Sequence, residues 1–171
     1  MSILKSSMKI YLFLLSMCLL ILSYGCVSVK IGTSSSKKSE RYSYNSPQKD
    51  FYRIKDEAVD AAWISQKTTS TLSVKSKCIK NIEVDLDSWL IELAASFKTS
   101  DIISNEKVKF NNRKALKAEL KTSLEGFDNN LAITSFIKNS CQYIVVLTSP
   151  PSSYQQDLPV YQNFLESFKA W

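Results

Sequence analysis

KALKAELKTSLE, Lys114 to Glu125, is the stretch on which the fold turns. Its composition favours helix, because Ala, Leu, Lys and Glu are strong helix formers. Leu116, Leu120 and Leu124 would also suit one helical face. Yet Leu116, Ala118, Leu120, Thr122 and Leu124 take every second position, with Lys117, Glu119, Lys121 and Ser123 between them. That is the two-residue period of a half-buried strand. Asn111-Asn112 before it and Gly126-Phe127-Asp128-Asn129-Asn130 after it carry turn chemistry at hairpin lengths. Strand is therefore the reading taken, and Ile102 to Phe110 becomes the strand before it. Leu131 to Lys138 and Tyr143 to Thr148 follow as strands joined through Asn139-Ser140. Tyr143 to Leu147 has little alternation, which predicts a central strand covered on both faces.

Upstream, Tyr42, Tyr44, Phe51, Tyr52 and Ile54 are punctuated by Ser46-Pro47-Gln48-Lys49. They predict a short hairpin or two edge strands. Ala58 to Ser65 and Ser70 to Cys78 read as strands, with Gln66 to Thr69 as the turn. Asp85 to Phe97 is a helix, since Leu86, Trp89, Leu90, Leu93, Ala94 and Phe97 form one apolar stripe. Asp85 is its expected N-cap, and Lys98 closes its last turn. Pro150-Pro151 ends the last strand. A second helix is expected to start at a capping Asp157, with Pro159 in its first turn. Its apolar face is Val160, Tyr161, Phe164, Leu165, Phe168 and Trp171. Two amphipathic helices need a sheet to cover. The expected class is α+β: a mainly antiparallel β-sheet with two amphipathic helices packed on it, in one domain over residues 41–171.

The chain starts differently. Lys5 and Lys9 are the only charges before an apolar run from Ile10 to Leu22, which leads into Ser23-Tyr24-Gly25-Cys26. The run is shorter than the ~20 residues that span a bilayer as a helix. A basic flank, a short apolar core and a small residue describe a secretory signal. The arrangement resembles the lipobox of bacterial lipoproteins, which implies cleavage after Gly25 and acylation of the Cys26 sulfur. Ser23 and Tyr24 depart from the usual pattern. A plain cleaved signal with Cys26 incidental is the main rival, and a retained anchor is a third reading. The resemblance implies that residues 1–25 are a signal peptide and that the chain meets its membrane through lipid on Cys26. It implies a lipid-anchored place in the bacterial cell envelope. Val27 after the cysteine resembles lipoproteins of the outer membrane facing the periplasm, in preference to the inner membrane. Residues 26–40, rich in Ser and Lys, read as a flexible tether.

This ordering sorts the four cysteines. Cys18 leaves with the signal and Cys26 takes the lipid. Cys78 and Cys141 remain in an oxidising compartment, where a disulfide between them is expected. Closing a loop of about 63 residues would stabilise the fold by roughly 4 kcal/mol in the chain-entropy account. Two separate buried thiols are the alternative. The formal charge of +6 sits largely on the signal and on Lys30, Lys37, Lys38 and Arg41 in or beside the tether. A nucleic-acid partner is disfavoured, because no aromatic-interleaved basic patch is present.

Further short runs carry a second resemblance. Ala61-Ala62-Trp63-Ile64-Ser65, Ser76-Lys77-Cys78, Asn112-Arg113-Lys114-Ala115, Lys138-Asn139-Ser140-Cys141-Gln142-Tyr143 and Phe164-Leu165-Glu166-Ser167-Phe168 follow one another. The succession is similar to a group of uncharacterised bacterial lipoproteins, over about residues 42–170. Their usual Asn-Gly-Arg turn is Asn111-Asn112-Arg113 here. Their Lys-Asn-Gly-Cys-X-Tyr-Asp run has Ser140 for Gly and Ile144 for Asp. Both cysteine positions match, which supports the disulfide. The arrangement also resembles the fold of PsbP, an extrinsic photosystem subunit with an α/β/α sandwich. That likeness implies a non-enzymatic binding or assembly role, by fold analogy alone.

The chain has no histidine. Ser-His-Asp and Cys-His catalysis are excluded, as are zinc sites that need imidazole. Three glycines leave no Gly-rich phosphate loop, and no cofactor or metal is expected. Two carboxylate groups, Asp56, Glu57 and Asp60, then Glu83, Asp85 and Asp87, could serve acid–base hydrolysis or bind a hard cation. A solvated edge and a helix cap are the plainer reading. Trp63, Trp89 and Trp171 could line a ligand cleft, but their spacings suit core anchors better. Two functions follow. One is a membrane-tethered binding or assembly module that meets another envelope protein. The alternative is a small-ligand-binding or carboxylate-based hydrolytic lipoprotein. Converging acids in a deep pocket would favour the second, and a closed core with an exposed aromatic patch the first.

Overall fold

Three two-residue turns fold the second half of the chain into a meander. A computed structural model describes residues 37–47, 50–79, 84–97 and 99–171. In it Asn111-Asn112, Glu125-Gly126 and Asn139-Ser140 all have φ between 49° and 87°. That left-handed backbone matches the twist of the strands it joins. The turns connect β5 (Ser100–Phe110), β6 (Arg113–Leu124), β7 (Phe127–Lys138) and β8 (Cys141–Ser149). Ahead of them come β1 (Tyr42–Ser43), β2 (Phe51–Ile54), β3 (Ala61–Ser65), β4 (Thr71–Cys78) and α1 (Leu86–Ala95). After them come α2 (Tyr154–Ser167) and β9 (Lys169–Ala170). Seven strands pair antiparallel in the order β2-β3-β4-β8-β7-β6-β5. β1 and β9 form a small separate pair.

The class is α+β, and residues 114–124 are strand, with Glu125 in the turn that follows. Both edges of β6 are paired, and Leu116, Ala118 and Leu120 are buried beneath α1. Pairing and packing outweigh helix propensity here. β8 is the middle strand of seven, as its unalternated apolar run predicts. One of its faces is fully buried, through Tyr143, Val145 and Leu147, while Ile144 and Val146 are half-buried on the other.

Several expectations are corrected. Of the two readings of residues 42–54, the hairpin fails and the two edge strands hold, because β1 pairs with β9 and β2 pairs with β3 at the edge of the sheet. Glu125-Gly126 suffices as a turn, so β7 starts at Phe127 and absorbs Asp128 to Asn130. α2 starts at Tyr154, with Ser153 before it and Asp157 buried inside its first turn rather than capping it. Pro159 lies inside this helix. Its missing N–H leaves the carbonyl of exposed Gln155 to water. Trp171 lies beyond the helix and is exposed. The domain also begins before residue 41. Lys37 pairs with Cys78, and Ser39 is buried. Gly25, Cys26, the signal and most of the tether, together with Glu83 and Lys98, lie outside the described residues.

α2 closes one face of the sheet over an aromatic cluster. Phe168 is its hub, with Tyr42, Phe136, Tyr143, Phe164 and Phe110 at ring-centroid distances of 5.5 to 6.5 Å. The pair β1–β9 folds Tyr42 and the chain end over this cluster. α1 covers part of the other face, setting Leu90 and Ala94 on Leu116, Leu120, Leu131 and Ile133. Asp85 caps α1, accepting from the Ser88 N–H at 3.1 Å and its hydroxyl at 2.7 Å. These bonds hold the Asp85 carboxyl below its ordinary range. Cys78 and Cys141 face each other across β4 and β8 and are joined by a disulfide.

Candidate functional site

The two faces of the sheet are covered unequally, and the reason is size. Seven strands at about 4.8 Å spacing make a sheet roughly 29 Å wide. A helix with its side chains is about 10–12 Å across. α1 packs over β5, β6 and β7. Over β4, β3 and β2 the same face carries no described helix; Ala62 is buried there, while Lys75, Lys77, Tyr52 and Ile54 are exposed.

Register shows what this bare half displays. Ile54 pairs with Ala62, Ala62 with Ser73, and Ser73 with Val146. In the neighbouring rows Tyr52 pairs with Ile64, Lys75 with Ile144, and Lys77 with Gln142. Paired residues of antiparallel strands share a face. Tyr52 is 54% exposed and Ile54 37% exposed. Where the bare half meets α1, a groove of about 780 Å³ opens. Its floor is Ser73, Lys75, Gln142, Ile144 and Val146, and its wall is Trp89, Ser88 and Glu92. Gln142 is buried and held by its amide N–H donating to Ser135 Oγ at 3.1 Å. Trp89 is half-buried, with one part in the small core and the rest on the groove. Chemically this is an apolar surface crossed by a basic column, Lys75 and Lys77.

A second feature fixes how the chain enters the domain. β3 accompanies β4 only as far as Val74. Beyond it the strand's open edge is taken over by the strap of residues 37–44. The Cys78 N–H donates to the Lys37 carbonyl at 2.9 Å. At the junction, Asp60 stands in for a backbone acceptor. Its Oδ2 accepts from the Ser76 N–H at 2.7 Å, the Ser76 hydroxyl at 2.5 Å and the Tyr42 hydroxyl at 3.2 Å. Ser39 completes the lock, its N–H donating to Ser76 Oγ at 2.7 Å and its hydroxyl bonded to Tyr143 at 2.8 Å. Burial, then the adjacent Asp60 charge, push the Tyr42 hydroxyl well above its ordinary pKa.

Among the described residues, the acids singled out in the sequence do not form one centre. Asp56 accepts from the Ala58 N–H of its own exposed turn. Asp60 is occupied by Ser76 and Tyr42 as described, Asp85 caps α1, and Asp87 pairs with Lys107. Among the described residues no group of acids is placed to hold a metal ion. Of the tryptophans, Trp63 is a core anchor under α2, Trp89 lines the groove, and Trp171 is exposed. Sequence reading missed the acceptor role of Asp60 and the burial of Asp157. For Asp157 a signal existed. It falls on the same helical stripe as Tyr154, Tyr161 and Phe164, where a solvated cap does not belong.

No family model matches the sequence, and no curated relative matches it. Solved structures do. Cyanobacterial PsbP (CyanoP) from Synechocystis matches over 83% of this chain and 96% of its own, with 11% identity and a TM-score of 0.56. LpqN of Mycobacterium tuberculosis, a protein involved in cell envelope biogenesis, matches over 79% and 84%, with 6% identity and a TM-score of 0.54. PA94 from Pseudomonas aeruginosa, of unknown function, matches over 72% and 79%, with 11% identity and a TM-score of 0.47. At these identities the likeness is one of fold, and the fold is PsbP-like.

Proposed function

We propose that this chain is a lipid-anchored lipoprotein of the bacterial cell envelope. In this reading it acts without catalysis, as a binding or assembly module, and its bare half-sheet receives another envelope protein. The carrying observation is the unequal coverage. One face is sealed by α2 and an aromatic core, while the other offers Tyr52, Ile54, Ile144, Val146 and Trp89 around Lys75 and Lys77. Anchoring through Cys26, cleavage after Gly25 and the outer-membrane location rest on the lipobox resemblance. No described helix is long and apolar enough to cross a membrane. The fold neighbour LpqN is involved in cell envelope biogenesis, which is in keeping with such a setting. Among the described residues Asp56, Asp60 and Asp85 are each engaged in separate local hydrogen bonds, which supports the binding reading over the hydrolytic one.

The test is site-specific photocrosslinking in intact cells. A crosslinker at Tyr52 or Lys75 should capture one discrete envelope protein. The same group at exposed Gln162 on α2 should not. Capture of nothing from the bare half, or of the same species from Gln162, would defeat the proposal.

A further inference from the structure

The tether joins the domain at one end of the sheet. The chain enters at Lys37, on Cys78, and the next residue's N–H, that of Ile79, donates to the Ser140 carbonyl at 3.0 Å. Cys78 pairs with Cys141, so the entry lies beside the β7–β8 turn. The β5–β6 turn lies at the same end, because β5 to β8 run antiparallel in sequence order. Hydrogen bonds join these pieces into one surface. The Asn111 amide donates to the Phe168 carbonyl at 3.0 Å and accepts from the Ala170 N–H at 3.0 Å. Lys138 Nζ donates to the Ala170 carbonyl, and the Trp171 N–H to the Arg41 carbonyl at 3.2 Å. The strap, both turns and β9 therefore share this end.

Among the described residues, cations outnumber acids there. Lys109 and Lys114 pair across the β5–β6 turn, with Arg113 between them in sequence. Lys138 ends β7, and Lys169 lies on β9. The strap adds exposed Arg41. Of the acids, Asp60 faces Lys38, Asp87 pairs with Lys107, and Asp85 caps α1. Glu40 on the strap is exposed, as are Asp56 and Glu57, which lie on the β2–β3 turn at the opposite edge of the sheet. Residues 80–83, outside the described residues, contain Lys80 and Glu83, whose formal charges cancel. The β6–β7 turn, at the other end of the sheet, is flanked by Glu125 and Asp128 instead.

Reach decides which end meets a membrane. The stretch from Cys26 to Lys37 spans at most about 40 Å when fully drawn out. β6, with its 12 residues, is itself about 40 Å long. Seating the far end on the bilayer would take the whole tether, whereas the entry end reaches it with slack. Each Lys or Arg beside an anionic leaflet raises partitioning about fivefold. Trp171, 56% exposed among these cations, is an indole, a group that settles at headgroup level. We propose that the domain docks end-on against anionic phospholipid headgroups, through Arg41, Lys109, Arg113, Lys114, Lys169 and Trp171. The inference rests on the anchored reading above, which supplies the membrane. Docked in this way the sheet stands upright, and its bare half stays open to a partner.

The experiment reconstitutes the full chain into vesicles of phosphatidylcholine, alone or mixed equally with phosphatidylglycerol, each doped with a lipid bearing a headgroup nitroxide. Trp89→Phe leaves Trp171 as the exposed indole, since Trp63 is buried. Quenching of Trp171 should rise about twofold or more with phosphatidylglycerol and fall back in about 1 M salt. An indole at the far end, Phe127→Trp with Trp89→Phe and Trp171→Phe, should show no such dependence on lipid. Arg113→Gln with Lys114→Gln should weaken docking about 25-fold, and Lys109→Gln with Lys169→Gln by as much. Lys67→Gln with Lys121→Gln, toward the far end, should leave it unchanged. The proposal is overturned if Trp171 quenches equally in both lipids or if the far-end indole quenches as strongly. It is also overturned if the far-end pair weakens docking as much as the near-end pairs do. Flotation separates this failure from that of the anchor. A chain that floats with both vesicles and lacks the anionic-lipid quenching keeps the anchor and loses the docking. One that floats with phosphatidylglycerol alone, and is released by salt, keeps the docking and loses the anchor. One that floats with neither loses both.

Discussion

Replacing Asp60 by alanine should release the strap at residues 37–44 and destabilise the whole domain. The side chain is 5% exposed, and its Oδ2 receives two short hydrogen bonds from Ser76 and a longer one from Tyr42. A hydrogen bond to a charged group is worth about 1.5–3 kcal/mol net. Two such bonds lost would give about 3–6 kcal/mol. Part of this is offset because the variant no longer buries a carboxylate, and the Ser76 hydroxyl can turn to a new partner. The expected net loss is about 2–4 kcal/mol, or roughly 6–12 °C in melting temperature for a chain of this size. The Lys38 contact at 3.6 Å adds little, because Lys38 is 58% exposed. Lys38→Met should therefore cost under about 1 kcal/mol. Urea denaturation gives the global value. Amide hydrogen exchange gives the local one, with the Ser39 and Cys78 N–H groups losing protection well before Val145. An Asp60→Ala protein within about 0.5 kcal/mol of the parent, or one whose strap exchanges as slowly as before, would refute the junction role of this carboxylate.

Stability should fall as pH rises above about 10. Tyr42, Tyr154 and Tyr161 all have pKa values raised in the folded state, chiefly by burial. The unfolded chain therefore loses these protons first, and the tyrosines' contribution is complete below the unfolded pKa and lost above it. Tyr161→Phe should flatten that alkaline slope in a pH series of denaturation midpoints. Phe168→Ala removes the hub of the aromatic cluster and should cost about 3–5 kcal/mol in the same assay. Cys78→Ala with Cys141→Ala opens a loop of 63 residues, a loss of about 4 kcal/mol if chain entropy dominates. Mass mapping of non-reduced protein should show the two cysteines linked. Cys26→Ser should abolish palmitate labelling in cells and leave an uncleaved precursor, and labelling that persists would sink the anchor assignment.

The meander was legible because its signals are local. Alternation in β6, turn residues at Asn111-Asn112 and Asn139-Ser140, and the apolar run of β8 each act within a few residues. What escaped depends on partners far along the chain. β1 pairs with β9 across most of the sequence, so nothing near Tyr42 announces it. The strap looked like linker because Ser39 and Lys37 gain meaning only against Ser76 and Cys78. Asp157 has the chemistry of a cap and Pro159 that of a first turn, and together they point to a start for α2 one turn beyond the real one. Their burial and position were set by the preceding Pro150 carbonyl, which accepts from the N–H groups of Ser153 and Tyr154. The bare half-sheet could not be read at all. Its residues alternate like any solvated face, and only the reach of α1 tells which alternating face stays open.

That open face is patterned in a way that argues against an unfinished core. Tyr52, Ile54 and Ile64 form one apolar strip over β2 and β3, and Ile144, Val146 and Trp89 form another over β8 and α1. Between them β4 contributes Thr71 and Ser73, and Lys75 and Lys77 follow past the end of β3, beside Ile144 and Gln142. A short polar row, continued at its end by a basic ridge of Lys75 and Lys77, thus breaks what would otherwise be one large sticky patch, and patches of that kind drive non-specific association. Two narrow strips with a charged ridge at the end of the row that parts them reward a partner that is apolar over the strips and acidic where it meets the ridge. Charge reversal at the ridge, Lys75→Glu with Lys77→Glu, leaves both strips intact and both side chains exposed. Such a change should leave stability within about 0.5 kcal/mol of the parent. It should nonetheless cut photocrosslinking from Tyr52 severely, because like charges set face to face suppress a wrong partner more than matched charges strengthen a right one. Undiminished crosslinking in the reversed protein would mean that the ridge plays no part in choosing what docks there.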